Sequence, residues 1–229
     1  MSQIVESEPK SLVTLKEVRA NPKVEAYLKR ANEQMAFIGF TEHGLRHAGL
    51  VAAIARNTCR ELGIDDRTAE LSAIAGYMHD IGCVVSRHYH PQIGATMSFT
   101  LLNEMDMDAS EIGLVIGAVG NHEEPEGVPI NNVAAAVILA DKSDVHYTRV
   151  QNPDPATFDI HDRVNFAVQR SHLTTNVELR TITLDLTVDL NVAPLVEYFE
   201  IFVHRMVMCR KAAEILGCKF HMNINGYSM

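Results

Sequence analysis

The chain has no excess of positive charge, no paired cysteines and no long apolar run, and each absence removes a class of protein. Twenty Lys and Arg stand against 29 Asp and Glu, for a formal net charge of −9 and a pI of about 5.6. A protein that holds a nucleic-acid duplex chiefly by neutralising phosphates needs the opposite balance. Cys59, Cys83, Cys209 and Cys218 lie far apart with no CxxC pair, so disulfides are not expected and a reducing compartment is the simpler setting. No stretch approaches the roughly 18 uninterrupted apolar residues of a membrane span. The opening MSQIVESEPK also lacks a basic segment followed by an apolar one, and a cytoplasmic protein is expected. There is no internal repeat and no low-complexity tract.

What is present is a 229-residue chain, 47% hydrophobic, enough for one sizeable core. Asn21-Pro22 signals a helix start, and Val24, Tyr27, Leu28, Ala31 and Met35 recur at helical spacing up to Gly39. Thr41 with Glu42 is read as the cap of a second helix that carries His43 and His47 and stops at Gly63. Asp65 or Asp66 opens a third helix, through Leu71, Ile74 and Met78, that runs into His79-Asp80-Ile81-Gly82. Further helices are expected at 91–105, 109–121, 131–150 and 159–171, and an amphipathic one at 193–216 ending at Gly217. The alternating, β-branched run 179–188 is the strong strand, and 219–224 a short one able to pair with it. The fold class is therefore mainly α, a helical bundle with a small C-terminal β-hairpin and helix appendage. The loop near 151–158 divides a body, 1–150, from a tail, 151–229, packed on the same domain.

The chemistry-bearing residues sit at the ends or edges of these helices: His47, His79, Asp80, His90, His122 and Asp141. Imidazole nitrogen with carboxylate oxygen suits Mn, Fe, Co, Ni or Zn, and a carboxylate can bridge two cations with its two oxygens. Placing His79 and Asp80 directly after the apolar segment AELSAIAGYM is costly unless something pairs them, and a metal would.

His47-Ala-Gly-Leu-Val51, Met78-His79-Asp80-Ile81-Gly82 and Ile138-Leu139-Ala140-Asp141 resemble the signature of the HD-domain superfamily of metal-dependent phosphohydrolases. His90-Pro-Gln-Ile-Gly94 and His122-Glu-Glu-Pro-Glu-Gly127 are similar to the extra histidine segments of its two-metal members, among them the HD-GYP phosphodiesterases. The resemblance spans about 38–150. It implies one divalent metal on His47, His79, Asp80 and Asp141 and a second on Asp80, His90 and His122, with Mn, Fe, Co, Ni, Mg or Zn all admissible. It also implies hydrolysis of a phosphomonoester, nucleotide or phosphodiester by a metal-bridged hydroxide, with Asp80 as the central catalytic residue. Lys142 and Arg149 are candidate phosphate contacts. Two departures, Cys83 in the HDIG segment and Asn121-His-Glu-Glu-Pro-Glu-Gly-Val-Pro-Ile130 in place of a GYP motif, withhold cyclic-dinucleotide specificity. The same ligand order also resembles di-iron oxygenases related to myo-inositol oxygenase, and a nucleotide sensor without turnover is a third reading. The expected partner is a small phosphorylated or nucleotide substrate, with no membrane, and a homodimer is the default assembly.

Single histidines are more often surface or satisfied core residues than ligands, and His88, His146, His161, His172, His204 and His221 are read that way. His43, at i−4 from His47, divides evenly between a bland role and a site role. Asp144 reads as a solvated helix residue, and Glu123 and Glu124 as an exposed loop.

Overall fold

A computed structural model describes residues 12–229. The reading of the first ten residues as lacking a leader lies outside the described residues. The helices are α1 (Leu15–Ala20), α2 (Pro22–Phe37), α3 (Leu45–Glu61), α4 (Asp66–Met78), α5 (His90–Glu104), α6 (Ala109–Gly120), α7 (Asn132–Ser143), α8 (Ile160–Ala167) and α9 (Leu195–Ile215). The strands are β1 (Val168–Asn176), β2 (Thr181–Val188), β3 (Lys219–Ile224) and β4 (Tyr227–Ser228). No helix among the described residues is long and apolar enough to cross a membrane.

Local chemistry sets most of these boundaries. Asn21 accepts from the Lys23 amide ahead of Pro22, Asp65 from Thr68, Asp108 from Ser110 and Asn131 from Ala134, which satisfies first-turn donors of α2, α4, α6 and α7. Gly63 and Gly217, with φ of 74° and 68°, close α3 and α9 in the left-handed conformation that costs glycine least. A Thr14–Glu17 capping box also starts α1, a helix too short to show as a period.

The middle of the molecule is made by α4 and α7, each buried on nearly every side. That is why their sequences read as almost continuous apolar runs rather than stripes. α3 packs across both, α5 pairs with α6, and α2 lies over a 3-10 turn at Ile81–Val84. On the opposite side of α7, Ala135, Ile138 and Leu139 share a core with Met208, Cys209, Ala212 and Ala213 of α9. The sheet's inner face, through Leu184, Leu186, Val188 and Ile224, closes on Tyr198 and Phe202.

The sheet order is β1-β2-β3-β4. β2 and β3, expected as a hairpin, are parallel and joined across α9, and the hairpin partner of β2 is β1. The sequence placed part of β1 in a helix at 159–171. Only Val168 and Leu173 are large and apolar in this edge strand, so its alternation is faint. Two helix ends also differ. The 131–150 helix stops at Ser143, because Asp144 turns out of helical geometry and its side chain reaches His47. The following residues Val145–Val150 contain no Gly or Pro to announce the stop. α3 begins at Leu45 rather than near Thr41, because the Glu42 carboxylate caps from outside, accepting from the Gly44 amide. His43 therefore precedes the helix, although its buried ring still lies edge-on to that of His47, with centroids 6.0 Å apart.

Candidate metal centre

The helices deliver six side chains to one buried point. His47 lies in the first turn of α3, His79 caps the end of α4 with Asp80 next, His90 opens α5, His122 follows α6, and Asp141 is in the last turn of α7. Three helices, α4, α6 and α7, thus aim their C-terminal, partially negative ends at this point, which favours a cation there. The Asp80–His90 stretch folds back tightly. A Cβ on Gly82 would run into the His90 carbonyl and the Gly94 amide, so glycine is required for this approach.

Asp80 divides its two oxygens between two histidine pairs. Oδ2 lies 3.1 Å from His79 Nε2 and 3.5 Å from His47 Nε2, and Oδ1 lies 3.4 Å from His90 Nε2 and 3.7 Å from His122 Nε2. Asp141 Oδ1 completes the first group, 3.3 Å from His47 Nε2 and 3.6 Å from His79 Nε2. All six residues are buried.

The other ring nitrogens show which way these imidazoles face. Nδ1 of His47 meets Asp144 Oδ2 at 2.7 Å, Nδ1 of His79 the Gly76 carbonyl at 2.8 Å, and Nδ1 of His122 the Val119 carbonyl at 2.6 Å. Each partner can only accept, so Nδ1 carries the proton and Nε2 presents a lone pair inward. At His90, Nδ1 meets both the carbonyl and the guanidinium of Arg87, so its tautomer is not fixed this way. His47 and His79 consequently face each other with Nε2 atoms 3.1 Å apart, and His90 and His122 stand at 3.0 Å. Asp80 Oδ2, meanwhile, is buried without a hydrogen bond. Facing lone pairs beside an unbonded carboxylate oxygen repel unless positive charge sits among them. Donor atoms 3.0–3.7 Å apart subtend about 90–125° at an ion bonded at roughly 2.1 Å, which fits a divalent metal.

Without an ion, protons take part of that role. Burial depresses the His79 imidazolium, but Asp80 and Asp141 outweigh it and carry its pKa up to about 10. Burial pushes Asp141 upward, while Lys142, His47 and His79 hold it well below the usual carboxylate range. His43 is lowered to about 3 by burial and is neutral. It stands outside the ligand groups, with Nδ1 turned to the Thr41 carbonyl.

Lys142 and Arg149 are both tied up by partners within the protein. Lys142 Nζ is buried among Asp141 at 2.8 Å, Glu123 at 3.1 Å and Glu124 at 2.7 Å. Arg149 donates to the carbonyls of Glu42 and Asp144. The glutamates are not an exposed loop. Glu123 also pairs with Arg87, and Glu124 with Arg205 of α9. Asp144 is buried rather than solvated, held by Arg46 at 2.9 Å against His47. His88, His161, His172, His204 and His221 are exposed and His146 half-buried, all away from the cluster.

Asp144 orients His47, a candidate ligand, so Asp144→Asn should weaken metal binding by about 10–100-fold while the fold persists, the range seen when a histidine ligand loses its outer partner. Competition with a chelating dye measures it, and an unchanged affinity would remove Asp144 from the site.

A cleft bordered by Phe40, Arg87, Tyr89, Gln92, Asn121 and Glu123 has none of the six clustered residues in its lining and reaches the His90–His122 side through Arg87 and Glu123. A larger groove between α3 and β1, lined by Arg46 and Asp144 among others, likewise has none of the six clustered residues in its lining.

The HD domain family matches residues 44–145, a span that contains all six clustered residues. No curated protein matches the chain. Among solved structures, that of a predicted HD superfamily hydrolase from an uncultured Thermotogales bacterium is similar at 22% sequence identity, over 58% of this chain and 75% of that one, with a TM-score of 0.42.

Proposed function

Because this chain is an HD-domain protein, we propose that it is a metal-dependent phosphohydrolase whose cluster holds two divalent cations and cleaves a phosphomonoester, nucleotide or phosphodiester. The observation that carries the reading is the Asp80 carboxylate, with one oxygen facing His47 and His79 and the other facing His90 and His122. When bound, such a pair of cations lowers the pKa of water and offsets charge on attacking and leaving oxygens.

The residues of the chain supply position and shelter. His47, His79 and Asp141 would hold one ion and His90 and His122 the other, with Asp80 facing both groups. Lys142, locked among three carboxylates, fixes Asp141 and the 123–124 segment rather than meeting substrate. Arg149, bonded to backbone carbonyls, secures the turn that presents Asp144. The cation placed to meet a substrate phosphate is Arg87, which lines the cleft beside His90 and is braced by Glu123.

The test is a screen of generic phosphate esters and nucleotides with metal-free protein reloaded with Mn, Co, Ni, Mg or Zn. Metal-dependent release of phosphate or an alcohol is expected. Stoichiometric iron with substrate-dependent oxygen uptake and no hydrolysis would overturn the reading, as would thermal stabilisation by a nucleotide with no turnover under any metal.

A further inference from the structure

Cys83 lies in the Ile81–Val84 turn, fully buried under α2 beside Ala31 and Met35. Its Sγ is 3.9 Å from Asp80 Oδ1, the oxygen that also faces His90 and His122. Sγ, an Asp80 oxygen and a His90 ring nitrogen all lie within 4.8 Å of one another. Around Oδ1 there are therefore two imidazoles and one thiol.

The distances suit a shared ion. With bonds of about 2.3 Å to sulfur and 2.1 Å to oxygen, atoms 3.9 Å apart subtend roughly 125°, and His90 Nε2 at 3.4 Å from the same oxygen subtends roughly 110°, both near tetrahedral. Glu123 is the competing donor, 4.0 Å from His122 Nε2. Its carboxylate, however, is already taken by Lys142 and Arg87, whereas the Cys83 thiol bonds to Asp80 itself. The other Asp80 oxygen, buried and unbonded on the His47–His79 side, is a sign that the cluster as a whole awaits positive charge.

We propose that Cys83 is a ligand of the second cation, completing a His90, His122, Asp80 and Cys83 set, and that this position selects a thiophilic ion such as Zn, Co or Fe over Mg or Mn. The inference rests on the reading of the cluster as a cation site. Binding replaces the S–H bond by a sulfur–metal bond and releases the proton to solvent, with no change of oxidation state. Thiolate favours the softer ions, while the first position, with imidazole and carboxylate alone, discriminates less.

The experiment is titration of the metal-free full chain with Co(II), followed in the near ultraviolet for a sulfur-to-cobalt charge-transfer band. Wild type should develop the band as one of two equivalents binds. Cys83→Ser should lack it and hold that equivalent at least about tenfold more weakly, the scale on which even an outer partner acts. Cys59→Ser, Cys209→Ser and Cys218→Ser should keep it. Should Cys83→Ser fold poorly, wild type and these three variants still assign the sulfur by elimination. Two bound cobalt ions with no sulfur band, or a band that survives Cys83→Ser, would overturn the role of Cys83 and leave the cation site standing. Absence of any cobalt binding would overturn both.

Discussion

Asp80→Asn should retain neither cation and lose turnover by at least about a thousandfold, roughly 4 kcal/mol of transition-state stabilisation. The size follows from the geometry. One carboxylate serves both histidine pairs, at 3.1 and 3.5 Å on one side and 3.4 and 3.7 Å on the other, so replacing one of its oxygens by an amide NH2 strips an anionic ligand from two positions at once. Loss of His90 alone should instead spare the first position. Elemental analysis of protein reloaded with metal checks the first clause and product release the second. The metal-free protein gives a separate readout. His79 is held protonated, up to about 10, against an ordinary value of 6.5. A raised folded-state pKa contributes stability that is fully present below the unfolded value and disappears as pH rises through the folded one. Metal-free wild type should therefore lose stability between about pH 6.5 and 10, and Asp80→Asn should flatten that decline. Two retained metal equivalents in the variant would sink the bridging role.

The six clustered residues could be named from the sequence because their order, His47, His79-Asp80, His90, His122 and Asp141, resembles the HD-domain signature, and each lies at the end or edge of an expected helix. What surrounds them could not. Asp144 looks like a solvated position one turn past Asp141, yet the helix stops and turns the carboxylate onto His47. Glu123 and Glu124 look like loop acids because their partners, Arg87, Lys142 and Arg205, come from three other segments. A charge pattern local to the loop carries no trace of them. Reading Thr41 and Glu42 as the cap puts His43 on the helix, whereas α3 starts at Leu45 and His43 meets the His47 ring from the preceding turn. The tail shows the same limit. β3 was legible from its own alternation, but its parallel register with β2 depends on α9 passing between them, and β1 lacks enough apolar residues to declare its face.

The placement of Arg205 gives the tail a part in the site. It is the side chain of α9 that reaches Glu124, 2.8 Å away, while the helix buries Met208, Cys209 and Ala212 against α7. The C-terminal helix thus packs its apolar side on α7 and braces the segment that follows His122 through a charge. This joins the residues beyond the HD match to the geometry within it.

Lys142→Met should destabilise the protein by about 3–5 kcal/mol, because it leaves buried acids without their counter-charge. Asp141, Glu123 and Glu124 all lie within 3.1 Å of the ammonium, which burial disfavours but these three carboxylates hold charged, above its ordinary range. At roughly 2–4 °C per kcal/mol for a chain of this size, the melting temperature should fall by on the order of 10 °C. The loss should depend on pH in a fixed direction. Carboxylates whose folded pKa is lowered, as those of Glu123, Glu124 and Asp141 are, contribute stability above their unfolded value and lose it as pH falls. Removing Lys142 removes much of that lowering, so the gap between variant and wild type should be widest near neutral pH and narrow towards pH 4 and below. Metal loading should recover part of the loss, since a cation on Asp141 replaces some of the missing charge. A melting temperature unchanged within a degree or two, together with a raised KM for a phosphorylated substrate, would mean that Lys142 serves the substrate and not the framework.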